Sequence, residues 1–277
     1  MWPAMRELDV MHLGTPRVIC CHEPEPGVLI DPGPASSVEG LLTALGDVEP
    51  RRLMLTHIHL DHAGATGVLV RRFPHLEVWV HEVGARHVVD PSKLIASATR
   101  LYGDDMERLW GEIAPVPEEN LRVLSGGERI DGFTVEYTPG HASHHVAYLH
   151  EAGGTAYTGD VAGVRIGGGP LIPPTPPPDI DVDAWHRSID VVAGWKPERL
   201  GVTHWGSFTD VEEHLARLQA ELDAAVDLAA RTDDAGYQAA MAARFAEAEE
   251  EEESYLQAAP PDTLWPGLSR WLRVSSG

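Results

Sequence analysis

The chain has 277 residues, 43% of them hydrophobic, which is enough to bury a full core in one large domain with an appendage. Its 43 acidic residues outnumber 21 basic ones, and a net charge of −22 without a Lys/Arg cluster argues against nucleic acid as the substrate. No apolar run approaches 18 residues and the first ten residues lack an apolar signal core, so we expect no membrane span and a cytoplasmic location. Cys20 and Cys21 are adjacent and are the only cysteines, which predicts two reduced thiols.

Strand-like runs alternate with helical patterns over the first 200 residues. The predicted strands are residues 18–21, 28–30, 53–55, 77–80, 133–137, 146–149, 155–157 and 199–202. The predicted helices are residues 36–45, 63–72 and 182–193. Beyond Trp205 the chain reads as purely helical, with an apolar stripe from Val211 to Val226 and a second helix from Asp234 into the acidic run 249–253. Periodicity alone therefore predicts a mixed α and β protein.

Four metal-binding side chains fall within six residues, directly after the apolar run 53–55. They are His57, His59, Asp61 and His62, in the run THIHLDHAG at residues 56–64. Imidazole and carboxylate are the usual ligands of zinc and of non-haem iron or manganese. Residues two apart in an extended segment point the same way, so His57 and His59 can hold one ion. The density of these side chains predicts a metal site.

The run HIHLDH matches the HxHxDH signature of the metallo-β-lactamase fold superfamily, and the chain resembles that superfamily at three further positions. Each of them follows a predicted strand: His141 in TPGH, Asp160 in YTGD and His204 in VTHWG. The resemblance implies an α+β fold, a four-layer αββα sandwich, with the catalytic domain over residues 1–208. It leaves residues 209–277 as a helical C-terminal extension packed on that domain. Loops after strand ends present side chains to one shared site, in agreement with this order.

The resemblance further implies a dinuclear site for two divalent metal ions, most simply zinc, with iron or manganese as alternatives. The implied ligands are His57, His59 and His141 for one ion, Asp61, His62 and His204 for the other, and Asp160 as the bridge. A water held between two such ions loses a proton near neutral pH, and the resulting hydroxide is the nucleophile. We predict Asp61 and His62 as the catalytic residues, with Asp61 able to pass a proton to the leaving group.

The other histidines are expected to stay away from the metal. His145 falls on the second His of a similar run in the glyoxalase II branch, and we interpret it as orienting a ligand or the bridging Asp160, with a core-packing role as the alternative. His144 lies beside it and is also not expected to be a ligand. The histidines outside the matched motifs are expected to be ordinary structural or surface residues: His12, His22, His75, His81, His87, His150, His186 and His214.

Three segments extend a minimal version of this fold. Residues 90–119 have a helical pattern, and we predict a lid over the site, with simple packing as the alternative. Residues 167–178, GGGPLIPPTPPP, cannot form regular structure and follow Asp160, so we expect them to wall the substrate pocket rather than serve only as a connector. The apolar run 264–272 should dock near the active-site face, and a homodimer contact is its competing use.

The branches that fit best are the glyoxalase II-like and lactonase-like hydrolases. We therefore expect a metal-dependent hydrolase acting on a small-molecule thioester, lactone or similar ester. The basic glutathione-binding residues of glyoxalase II find no match in this chain. Two alternatives stay open: a mononuclear iron enzyme like the persulfide dioxygenases, and a non-catalytic metal-binding protein on the same fold.

Overall fold

Two six-stranded sheets form the centre of the protein in a computed structural model that describes residues 5–275. The first sheet contains, in spatial order, β1 (Arg6–Asp9), β2 (Cys20–Glu25), β3 (Val28–Ile30), β4 (Arg52–Met54), β5 (Glu77–His81) and β6 (Leu121–Leu124). The second contains β7 (Arg129–Ile130), β8 (Phe133–Tyr137), β9 (Val146–His150), β10 (Thr155–Tyr157), β11 (Arg199–Val202) and β12 (Gly206–Phe208). Strands β3 to β6 are parallel to one another, as are β10 and β11, and the other neighbours are antiparallel.

The facing sides of the two sheets share one buried apolar cluster. Its members are Val28, Ile30, Met54, Trp79 and Leu124 from the first sheet and Phe133, Val135, Val146, Tyr148 and Tyr157 from the second. Alternate residues point the other way, so Leu29 and Leu53 belong to a separate cluster with the helices. The Tyr148 hydroxyl donates to the Leu55 carbonyl at 2.7 Å, which satisfies its polar end within the core.

Eleven α-helices cover the described part of the chain outside the sheets. They are α1 (Val38–Leu45), α2 (Leu60–Ala63), α3 (Thr66–Arg72), α4 (Glu82–Val89), α5 (Ser92–Tyr102), α6 (Met106–Trp110), α7 (Val182–Gly194), α8 (Val211–Arg231), α9 (Asp234–Ala246), α10 (Glu252–Ala258) and α11 (Pro261–Ser275). The apolar stripe predicted after Val211 is the buried side of α8, where Leu215, Leu218 and Leu222 pack against Trp185 and its neighbours. Within residues 5–275, no helix is both long enough and apolar enough to cross a membrane.

The αββα architecture and the helical C-terminal region are confirmed, and several local predictions are wrong. The chain beyond Trp205 is not purely helical, because β12 pairs with β11; three residues are too few for a period to be recognised. The predicted helix 63–72 is instead two helices, α2 and α3, and the predicted strand 18–21 lies later, at β2. The helix expected to run from Asp234 through 249–253 ends at Ala246, and a 3₁₀ turn at Glu249–Glu251 precedes α10.

The C-terminal helix α11 docks on the body of the protein, against α8, α9 and the Pro-rich segment 167–178. Leu264 and Leu268 are fully buried on its inner side. The Thr175 hydroxyl donates to the Leu264 carbonyl at 2.8 Å, and a Cβ on Gly267 would lie only 2.1 Å from the Thr175 carbonyl oxygen. This close approach fixes α11 beside the loop that follows Asp160.

Candidate metal centre

The loop after β4 places its metal-binding side chains at the carboxyl end of the strand. His57 to His59 are extended, and α2 begins at Leu60 with His59 as its N-cap residue. The turn into α2 carries Asp61 and His62 back toward His57, whose ring centroid lies 4.0 Å from that of His62. One short segment thereby points four side chains at one small volume.

Three imidazole nitrogens converge in the first group. His59 Nδ1 lies 3.0 Å from His57 Nε2 and 3.0 Å from His141 Nε2. His141 comes from the loop after β8, in the other sheet, so this group joins the two halves of the sandwich. The three ligand atoms all lie within 4.8 Å of one another, as required for binding to one ion.

The second group contains Asp61, His62 and His204. Asp61 Oδ2 lies 3.7 Å from His62 Nε2 and 3.5 Å from His204 Nε2. His204 follows β11, and its ring is edge-on to that of His62. These three ligand atoms also lie within 4.8 Å of one another.

Asp160 lies between the two groups and presents one oxygen to each. Its Oδ2 is 3.2 Å from His141 Nε2, and its Oδ1 is 3.2 Å from His62 Nε2 and 3.6 Å from His204 Nε2. A carboxylate in this position can share two ions. The structure therefore brings together all seven residues named from the sequence.

Four of the five ligand imidazoles are tied to the protein on the side away from the centre. The rings donate to a hydroxyl, a carboxylate or a backbone carbonyl: His57 Nδ1 to Thr56, His62 Nδ1 to Asp31, His141 Nδ1 to Pro174 and His204 Nδ1 to Val18, at 3.1, 2.8, 2.9 and 2.7 Å. These bonds place the proton on Nδ1 and leave each Nε2 as a lone pair that faces the centre.

Three of the inward atoms fit a metal because they lack a hydrogen-bond partner within the described chain. Among the described residues, His62 Nε2, His204 Nε2 and Asp160 Oδ1 are buried without a hydrogen-bond partner. Leaving a buried polar atom unsatisfied costs about 1–3 kcal/mol, and three such atoms meet at one point here. Divalent cations remove this cost, and the nitrogen and oxygen donors suit zinc, iron or manganese.

Asp31 is a functional residue that the sequence analysis missed. Its side chain is fully buried and accepts from His62 Nδ1 at 2.8 Å. It also accepts from the Thr56 backbone amide and hydroxyl, at 2.8 and 2.7 Å, and from the Thr203 hydroxyl at 2.8 Å. The available signal was an Asp directly after a buried strand, at the same edge as the His-rich loop.

Burial and neighbouring charges shift the pKa values in the centre, and the result favours the ionised form of its carboxylates. Burial raises the pKa of Asp160, but His62 and His141 outweigh it and the pKa lies well below its ordinary value. Burial lowers the pKa of His62, whereas the carboxylates of Asp160 and Asp61 raise it well above the ordinary value. Burial and His141 lower the pKa of His59 to about 4. The second group thus favours a positive charge beside ionised carboxylates, which a bound cation supplies.

Two glycines allow the ligand loops to approach closely. Gly159, just before Asp160, has φ +47°, and a Cβ there would lie 2.4 Å from Thr56 Oγ1. Gly140, just before His141, has φ +138°, and its Cβ would lie 2.3 Å from Trp185 Cα. Glycine is therefore required in both motifs by backbone conformation and by space.

His145 supports the centre from the side. It is fully buried, its Nδ1 lies 2.8 Å from the Thr138 hydroxyl, and its ring stacks on His57 with centroids 5.1 Å apart. It belongs to none of the ligand groups found among residues 5–275, as expected. His12, His87 and His144 also lie outside those groups but line the neighbouring cavity, a role that the sequence did not indicate.

A cavity of about 660 Å³ opens directly beside the centre. Its floor includes His59, Asp61 and Asp160. Helices α5 and α6, within the segment 90–119, form one wall. Pro174 and Pro176 to Pro178 form another, so the segment 167–178 contributes to the pocket wall. The segment from Leu256 to Leu264 completes the lining and brings the C-terminal region to the active-site face.

The family model of the metallo-beta-lactamase superfamily matches residues 18–204, the span that holds both sheets' ligand loops. The chain belongs to this superfamily. The match covers all seven residues of the candidate centre and ends on His204.

Similar proteins extend the likeness beyond the matched span. The metallo-beta-lactamase fold-containing protein ST1585 from Sulfurisphaera tokodaii is 29% identical over 200 residues, 69% of this chain and 74% of that protein. The match with its crystal structure spans 77% of this chain and 85% of that protein, with a TM-score of 0.65. A hydroxyacylglutathione hydrolase from Aeromonas salmonicida is 29% identical over 125 residues, 44% of this chain and 37% of that enzyme. The structure of the metallo-beta-lactamase family protein TTHA1429 from Thermus thermophilus is 21% identical to this chain. The match spans 99% of this chain and 94% of that protein with a TM-score of 0.69, so the two share an overall fold.

Proposed function

We propose that the protein is a metal-dependent hydrolase that uses a dinuclear centre on a small thioester, lactone or related ester. The observation that carries this proposal is the convergence of two groups of ligand atoms on either side of Asp160, three of which are buried without a hydrogen-bond partner among the described residues. The similarity to hydroxyacylglutathione hydrolases supports a thioester or ester as the substrate class.

The residues of the centre would have separate roles in such a reaction. His57, His59 and His141 would hold one divalent cation and Asp61, His62 and His204 the other, with Asp160 bridging. When bound, these cations supply Lewis acidity toward the scissile carbonyl and lower the pKa of water. The Nδ1 hydrogen bonds keep the rings in one orientation, so little reorganisation is needed during the reaction.

Asp61 is the carboxylate best placed to move a proton. Its side chain is 25% exposed and lines the cavity, whereas that of Asp160 is 5% exposed. A group that exchanges protons with a leaving group must reach both the substrate and water. The cysteine thiols are unsuited to nucleophilic attack, because Cys20 and Cys21 are fully buried and burial raises their pKa values.

A substrate panel tests the proposal. Metal-loaded protein is assayed against thioesters, lactones, carboxylic esters and phosphodiesters, with oxygen uptake on glutathione persulfide followed in parallel. Hydrolysis of a thioester, lactone or ester is the expected result. Oxygen uptake with about one iron per chain would instead identify a persulfide dioxygenase-like enzyme. A loaded protein inactive in every assay would favour a non-catalytic metal-binding role.

A further inference from the structure

A pair of basic residues lines the cavity next to the candidate centre. Arg86 is on α4 and Lys93 on α5, and both are exposed. Arg86 Nε donates to His87 Nε2 at 3.1 Å, so this ring accepts the bond and is neutral. Among residues 5–275, neither Arg86 nor Lys93 forms an ion pair. Their charges are therefore available to a ligand in the cavity.

The other charged side chains of the cavity wall each have a partner within the protein. Arg108 pairs with Asp105 at 2.9 Å, and Asp179 accepts from the Ser143 hydroxyl at 2.5 Å. The two remaining carboxylates of the lining belong to the candidate metal centre. The chain's net charge of −22 acts mostly from further away, and exposed charges are screened beyond about 8 Å at physiological salt. Asp90 also acts on Lys93, so Arg86, Lys93 and this carboxylate together leave a net positive charge at this part of the wall.

The basic pair meets an apolar wall. Leu13, Leu101 and Leu256 line the cavity with 40%, 47% and 40% of their surface exposed, although large apolar side chains usually bury more. Trp110 and Leu264 lie deeper in the same lining and are nearly fully buried. Exposed apolar surface that is continuous with a cavity is typical of a binding site for an apolar group.

We propose that the cavity binds an amphipathic anion, namely an ester or thioester that also carries a carboxylate. Its apolar chain lies on the apolar wall, and its carboxylate binds Arg86 and Lys93. This inference rests on the proposed function and names its substrate class.

Binding of two ligands without a scissile bond tests the inference separately from catalysis. 3-(Octylthio)propanoate and its amide, 3-(octylthio)propanamide, share one apolar chain and differ in charge. Their dissociation constants are measured by calorimetry on the metal-loaded full chain. We expect the carboxylate to bind about 3- to 10-fold more tightly than the amide, since exposed charge pairs contribute up to about tenfold in all.

The Arg86→Gln/Lys93→Gln variant should bind both ligands equally, with the dissociation constant of the amide unchanged. Arg100→Gln/Arg187→Gln is the matched control, because both arginines are exposed, lie outside the cavity lining and form no ion pair within the described chain. It should keep the preference for the carboxylate.

Equal binding of both ligands to the wild type, or no binding of either, overturns the inference. A preference that survives Arg86→Gln/Lys93→Gln also overturns it, because the carboxylate then binds elsewhere, for example at the metal. Neither measurement depends on turnover. A protein that binds the carboxylate through the basic pair but hydrolyses no ester would contradict the proposed function alone.

Discussion

Asp31 and His62 form a fully buried pair in which the ring Nδ1 donates to the carboxylate at 2.8 Å. Asp31 Oδ2 also accepts from the hydroxyls of Thr56 and Thr203, so the carboxylate is held from both sheets' ligand loops. This pair fixes the tautomer of His62 and presents its Nε2 to Asp61 and Asp160. The second half of the candidate centre therefore depends on a residue that binds no metal itself.

Asp31→Asn is expected to weaken metal binding about 10- to 100-fold, the usual range for loss of a partner of a ligating imidazole. One carboxylate oxygen accepts from the Thr56 amide, and the other accepts from His62, Thr56 and Thr203. An amide has only one oxygen, so either orientation sets its NH₂ group against a donor. Chelator competition on the loaded protein measures the affinity.

Asp131→Asn is the control for that substitution. Asp131 also has positive φ, +49° against +53° for Asp31, but it is exposed and its carboxylate pairs with Arg52. Because Asn tolerates this backbone region, both variants should keep their backbone conformation. Metal affinity should be unchanged in Asp131→Asn, and equal affinities in the two variants would remove Asp31 from the support of the centre.

Gly267→Ala should destabilise the protein by about 1–3 kcal/mol, because the added Cβ would lie 2.1 Å from the Thr175 carbonyl oxygen. The α11 helix then has to move away from the Pro-rich wall of the cavity. Thermal unfolding measures the loss as a lower Tm. Gly194→Ala, at the end of α7, meets no atom within 4 Å and should leave stability unchanged or raise it by up to about 1 kcal/mol. Equal effects of the two substitutions would contradict the observed docking of α11.

His214 makes stability fall in mildly acidic solution. Burial lowers its pKa to about 4, while Nε2 donates to the Ala162 carbonyl at 2.8 Å. The folded-state pKa lies below the ordinary 6.5, so the unfolded chain binds more protons between these values and stability falls as pH drops through this window. At pH 5.5 the expected loss from this one residue is about 1 kcal/mol.

The test compares wild type with His214→Gln, which keeps a donor for the Ala162 carbonyl but does not titrate. Urea unfolding at pH 7.5 and pH 5.5 gives the free energy of unfolding for each. The decrease between the two pH values should be about 1 kcal/mol larger in the wild type. The same decrease in both proteins would show that His214 does not remain neutral in the folded state.

Most ligands of the candidate centre could be predicted from the sequence, because they lie close together in one loop or directly follow a predicted strand. His57 to His62 share one loop, and the glycines before His141 and Asp160 mark turns that the structure shows to be sterically required. For Asp31 the sequence offered only its position after a buried strand, since its partners Thr56, His62 and Thr203 are up to 172 residues away. Arg86 and Lys93 were equally inaccessible, because only the folded cavity places them in one lining.

The fold was predictable where apolar runs were long enough to show a period. Strands β3, β8 and β10 have their predicted bounds. Four strands were missed: β1, β6, β7 and β12. Each is short, and each is defined by its pairing with a neighbouring strand rather than by its own pattern. α9 ends before the acidic run, and the chain turns at Glu249, which has φ +49°.

Metal content per chain, measured by plasma mass spectrometry on wild type and Asp160→Ala, tests the dinuclear centre most directly. We predict about two divalent ions per chain in the wild type and no more than about one in the variant, with turnover lost and the fold retained by circular dichroism. Asp179→Asn, in the cavity wall but outside the ligand groups of the described chain, should keep the wild-type content. A single ion in the wild type, or an unchanged content in Asp160→Ala, would contradict the shared carboxylate on which the proposed chemistry depends.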